Sequence, residues 1–161
     1  MNLRSRFKTG TGSESGRCLS QVLKRLLRHP ELPESLCKYF CWSLQALAAS
    51  ACVQRMLFIN PILFPDDVCA PEQLVSDFEY WLKFTTEFVH GGAWDDCQQE
   101  AFARVDQRLK DMSRGGSLFH EDLWTNDGLY EPPWESVRSL ASLALLELGW
   151  PVENPPFNRL P

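Results

Sequence analysis

Histidine is scarce in this chain: His29, His90 and His120 are the only three, and they are scattered. Cys37 and Cys41 lie one helical turn apart and could supply half a zinc site. Cys52, Cys69 and Cys97 offer no second pair, so packing accounts for the first, and no metal or cofactor is expected. A phosphate-binding loop is missing too. Gly10-Thr11-Gly12 follows no strand and is not closed by Gly-Lys-Ser/Thr. Neither Ser113 nor Ser117 sits in a strand–turn–helix elbow, which removes that route to a nucleophilic serine. There is no internal repeat and no strand-type alternation. The apolar stretch from Tyr39 to Val53 has only 15 residues, interrupted by Ser43 and Gln45, too few to cross a bilayer. Ala49-Ser50-Ala51-Cys52 has the outline of a lipoprotein cleavage box, but Glu31 and Glu34 precede it, and a buried helix is the expected state.

What is present is an ordinary globular composition, 44% hydrophobic and 23% charged over 161 residues, with six tryptophans. The net charge of −5 conceals an asymmetry. Residues 1–29 carry seven basic side chains against Glu14 alone, a balance of +6, while the remainder has nine basic and twenty acidic, a balance of −11. So acidic a body repels nucleic acid and attracts basic partners. Residues 1–16 are glycine-, serine- and arginine-rich and read as a flexible basic arm. Residues 17–161 read as one helical domain. The six cysteines fall mostly in apolar helical stretches, where a free thiol behaves as a small hydrophobe, so a reducing, cytoplasmic setting is expected.

Apolar periodicity gives an all-α bundle of about five helices with short loops. A basic amphipathic helix is predicted over Cys18–Arg28. The next opens at Pro33-Glu34 and runs unbroken to about Met56, burying Leu36, Phe40, Leu44, Leu47, Ala48 and Ala51. A third runs from Pro71-Glu72 toward His90. The fourth spans Trp94–Met112, with Cys97, Ala101, Val105, Leu109 and Met112 inward. The last, Pro132–Leu148, starts with prolines where no N–H is needed and stops at Gly149. Trp134, Val137, Leu140, Ala141, Ala144, Leu145 and Leu148 form its stripe. Leu143 and Leu146 make its second half apolar nearly all round, which predicts enclosure by neighbours. The proline-rich tail from Pro151 is expected to lie extended on the surface.

Two kinds of site are candidates. The first is acidic and aromatic: Asp66, Asp67, Asp95, Asp96, Glu121, Asp122 and Asp127 with Trp124 and Tyr130, all in loops or at helix starts. Aromatic residues anchor protein interfaces and complementary charge speeds association, so these residues suit a basic protein partner. The second would be an enzyme using His90 or His120 with neighbouring carboxylates as a general base. The absence of a nucleophile–base pair leans against it. The ending Pro133-Trp134…Val137-Arg138…Ala141…Ala144-Leu145…Leu148-Gly149-Trp150-Pro151, in a compact, acidic, tryptophan-rich chain, resembles small bacterial immunity proteins of contact-dependent and type VI systems. That resemblance implies a cognate toxin as the partner; from the short apolar run, no membrane association is expected.

Overall fold

The computed structural model describes residues 34–58, 68–88 and 94–157. Every described residue lies in the compact unit Leu32–Pro161. The expected basic arm, the helix expected over Cys18–Arg28, Asp66, Asp67 and His90 fall outside the described residues.

Five helices follow in order: α1 (Glu34–Ala48), α2 (Ala51–Met56), α3 (Ala70–Phe88), α4 (Asp96–Met112) and α5 (Pro132–Leu148). Two single 3-10 turns, Glu121–Trp124 and Gly128–Tyr130, precede α5, and no strand occurs among the described residues. The protein is all-α. α5 packs against both α1 and α4, and α1 also packs on α3. Trp134, Val137, Ala141, Ala144 and Leu145 of α5 are fully buried, at the three- and four-residue spacing of one helical face. Against them stand Phe40, Leu44 and Leu47 of α1, Leu74 and Phe78 of α3, and Val105, Leu109 and Met112 of α4.

The helix expected to run unbroken to Met56 is in fact two. Ser50 adopts an extended conformation (φ −59°, ψ 154°), and its hydroxyl accepts from the Val53 amide to start α2. The break strands carbonyls at the end of α1, and a buried side chain meets them: Gln54 Nε2 donates to Ala46 O at 3.1 Å and Leu47 O at 2.9 Å. α4 is rotated relative to the expected stripe. Gln98, Phe102, Val105, Leu109 and Met112 face inward, while Cys97 is exposed and Ala101 only half-buried. Phe102 sets that rotation, because its ring meets Phe40 edge-on at 5.1 Å and Trp94 at 5.3 Å. Nor is the second half of α5 enclosed: Leu143 and Leu146 are 56% and 64% exposed, and Leu140 and Leu148 are half-buried.

Beyond Gly149, whose φ of 68° closes α5 in the left-handed conformation, the chain turns back along α1. Gln45 Nε2 donates to Pro151 O at 3.0 Å and Trp42 Nε1 to Pro156 O at 2.9 Å, fixing this irregular segment to two buried α1 side chains. No helix among the described residues is long and apolar enough to cross a membrane.

The five described cysteines are free. Burial, with Glu153 and Cys37 nearby, pushes the Cys41 thiol up to about 11. At pH 8 such a thiol is thiolate to about one part in a thousand. Iodoacetamide at that pH should therefore label exposed Cys52 and Cys97 well before Cys41, read by peptide mass spectrometry. Labelling of Cys41 at the rate of Cys52 would show that α1 opens at this position.

Candidate protein-binding face

The loop between α4 and α5 is short on regular structure, so its shape depends on side chains that reach its backbone. Side-chain hydrogen bonds and a ring contact hold it. Trp124 Nε1 donates to Met112 O at the end of α4 (2.9 Å), and Trp134 Nε1 donates from α5 to Leu123 O (2.9 Å). The two indoles meet edge-on at 6.2 Å. Asn126 Oδ1 accepts from the Ala70 amide (2.9 Å), occupying one of the donors at the start of α3. Cys69 Sγ donates to Trp124 O at 2.8 Å. Arg138 of α5 donates through Nη1 to Leu129 O at 2.9 Å, and its partial burial lowers its pKa from the usual guanidinium value.

These contacts turn the apolar side of the loop inward and leave its acids outside. Leu123, Gly128 and Leu129 are buried, whereas Glu121, Asp122, Asp127, Tyr130 and Glu131 are exposed. Tyr130 shows 58% of its surface. Asp127 reaches Arg55 of α2 at 3.3 Å, but its side chain is 89% exposed, so the pair is worth under about 1 kcal/mol and leaves the carboxylate reachable. His120 Nδ1 lies 3.5 Å from Asp122 Oδ2 with 68% of its side chain in solvent.

The candidate residues do not all assemble. Glu121, Asp122, Asp127 and Tyr130 are all exposed in the one segment that leads into α5. Trp124 belongs to the same segment, half-buried, with its indole committed to the framework. Asp95 and Asp96 lie near the other end of α5, where Trp94 and Trp150 stack edge-on at 6.1 Å. A 17-residue helix is about 25 Å long, which separates the two groups. Asp95 also helps to build the fold. Its Oδ1 accepts from the Cys97 and Gln98 amides, and Gln98 Oε1 accepts from the Asp95 amide, a reciprocal capping box. Sequence reasoning passes over Asn126, Cys69 and Arg138. Asn126-Asp127-Gly128 marks a turn, but nothing local in sequence connects Asn126 to Ala70, 56 residues earlier.

No protein-family model, curated protein or solved structure matches this chain.

Proposed function

We propose that this protein is an interaction protein whose acidic, aromatic face at Glu121, Asp122, Asp127, Tyr130 and Glu131 binds a basic protein partner. The observation that carries this reading is the preorganisation of the face. Four exposed carboxylates and one exposed tyrosine sit on a loop tied to α3, α4 and α5 by side-chain-to-backbone hydrogen bonds. A rigid face loses little conformational entropy on association, so more of its contact energy is retained as affinity. The carboxylates attract Lys and Arg at long range, and the tyrosine provides a desolvated anchor. The resemblance to bacterial immunity proteins gives the partner class, a basic toxin domain neutralised by being covered. Free thiols and an acidic body fit a cytoplasmic setting for that encounter.

The test is capture of a partner from the native host with the full chain as bait, followed by binding kinetics. Charge reversal in Glu121→Lys with Asp122→Lys should slow association about ten-fold at low salt, and the difference should shrink as salt screens the field. Tyr130→Ala should act mainly on dissociation, speeding it about ten-fold or more through loss of a buried contact. Unchanged kinetics in both would place the interface elsewhere. Turnover of a substrate that vanishes in His120→Ala would replace this reading with the enzymatic one.

A further inference from the structure

At the end of α5 remote from that face, two helix termini meet. Asp95 is the N-cap of α4 and Cys97 stands in its first turn, while Glu147 is the penultimate residue of α5. Their carboxylate oxygens and thiol sulfur all lie within 4.8 Å of one another. The three donors come from the ends of two packed helices, one held in place by a cap and the other by the left-handed stop at Gly149. We propose that Asp95, Cys97 and Glu147 form a binding site for a thiophilic divalent cation of the zinc class.

The donor set selects the ion. One thiolate with two carboxylates suits Zn²⁺, whereas Mg²⁺ and Ca²⁺ prefer oxygen throughout. Three protein ligands leave the fourth tetrahedral position for water or a ligand, the pattern of an open site. With Zn–S of about 2.3 Å and Zn–O of about 2.1 Å, tetrahedral geometry puts sulfur and oxygen about 3.6 Å apart. Separations of up to 4.8 Å therefore need to close by about 1.4 Å at most. Cys97 and Glu147 are exposed, so an ion in solution reaches both.

Local electrostatics permit it. The positive end of the α4 dipole would oppose a cation, but the negative end of α5 lies beside it and offsets that field. The Asp95 carboxylate is also oriented: the Cys97 and Gln98 amides hold Oδ1, and the Asp95 amide is held in turn by Gln98, a side chain only 8% exposed. Hydrogen bonds of this kind, one shell out, fix a ligating carboxylate in place, and a single bond through Oδ2 leaves the cap intact. Cys97 and Glu147 also line a groove of about 380 Å³ between α4 and α5, together with Glu100, Arg104, Leu143 and Leu146. A bound ion would sit at the edge of that groove and tie the two helices together.

The probe is Co²⁺ alone, titrated into the full chain, with thiolate-to-metal charge-transfer absorption as the readout and Zn²⁺ as competitor. The band should appear in the wild type and in Cys37→Ser/Cys41→Ser, and be lost in Cys97→Ser. Asp95→Asn keeps a good cap, since asparagine ranks with aspartate at that position, and Glu147→Gln changes an exposed side chain. Each should weaken Co²⁺ by about ten-fold or more while leaving the metal-free circular dichroism and thermal midpoint unchanged. Zn²⁺ should raise the thermal midpoint of the wild type and not that of Cys97→Ser. Absence of the band in the wild type, its survival in Cys97→Ser, or unchanged affinity in either carboxylate variant would overturn the site. None of these readouts depends on the acidic face.

Discussion

Trp134→Ala should lower the unfolding free energy by about 3–5 kcal/mol, the range for removing a large buried aromatic. That is a large share of the total stability of a domain this size, about 5–15 kcal/mol. Trp134 is fully buried in the first turns of α5, among side chains from the 3-10 turns and neighbouring helices. Its indole N–H also satisfies Leu123 O, and its ring supports Trp124 edge-on. Removal thus opens a cavity, strands a carbonyl and withdraws support from a second tryptophan. Trp134→Phe separates these effects, since it keeps most of the volume and loses only the donor, for an expected cost of about 1–3 kcal/mol. Urea denaturation followed by far-ultraviolet circular dichroism measures both. A cost below about 1 kcal/mol for Trp134→Ala would show that α5 is peripheral. Trp124→Ala should likewise appear mainly as lost stability, because that side chain spends its polar group inside the fold.

Helices are legible in this sequence because apolar periodicity is strong and proline and glycine punctuate it. Pro132-Pro133 and Gly149 bound α5 as expected. What escapes is decided by tertiary contact. Nothing in the local pattern of residues 48–51 separates α1 from α2, since all four are compatible with a helix. Gln54 makes the break tolerable by meeting carbonyls seven and eight residues back, a contact that periodicity does not encode. On α4 two stripes one residue apart compete. Phe102 lies just off the one through Cys97 and Ala101, and its aromatic area outweighs those smaller side chains. Leu143 and Leu146 read as enclosed because α5 is apolar on several sides, yet α1 and α4 flank it and leave that strip to solvent.

For the candidate face, composition locates the acids and the tyrosine in one segment, Glu121 to Tyr130. It does not separate exposed members from structural ones. Trp124 and Tyr130 look equivalent in sequence, but Trp124 lies within reach of Met112 O and becomes framework, while Tyr130 projects from the last residue of a 3-10 turn. The division of the acids between the two ends of α5 is equally hidden. Asp95 and Asp96 stand 25 or more residues before Glu121 and Asp122, and only the antiparallel path of α4 and α5 separates them in space.

Gly128→Ala should cost about 3 kcal/mol, at the upper end for overpacking, and should disable the acidic face along with the local fold. A Cβ at this position would lie 2.1 Å from Asp122 O, 2.7 Å from Leu123 C and 2.8 Å from Leu123 Cα. All three are backbone atoms, so no side-chain rotation can relieve the clash. The two 3-10 turns have to move apart instead. Leu123 would leave its buried place, its carbonyl would draw away from Trp134 Nε1, and Glu121 and Asp122 would shift relative to Tyr130. The Gly128 amide, which now meets Thr125 O at 3.0 Å and Thr125 Oγ1 at 3.1 Å, would lose its alignment too. Gly149→Ala provides the contrast. Gly149 has a φ of 68° and open space where a Cβ would stand, so alanine there meets only backbone strain, about 1 kcal/mol. Thermal and urea unfolding of the two variants should place Gly128→Ala well below Gly149→Ala. Partner binding should fall more than ten-fold in Gly128→Ala even at temperatures where it remains folded, and stay at the wild-type level in Gly149→Ala. Equal stability of the two would mean that the 3-10 turns are not in close contact, and full partner affinity in folded Gly128→Ala would remove this loop from the binding surface.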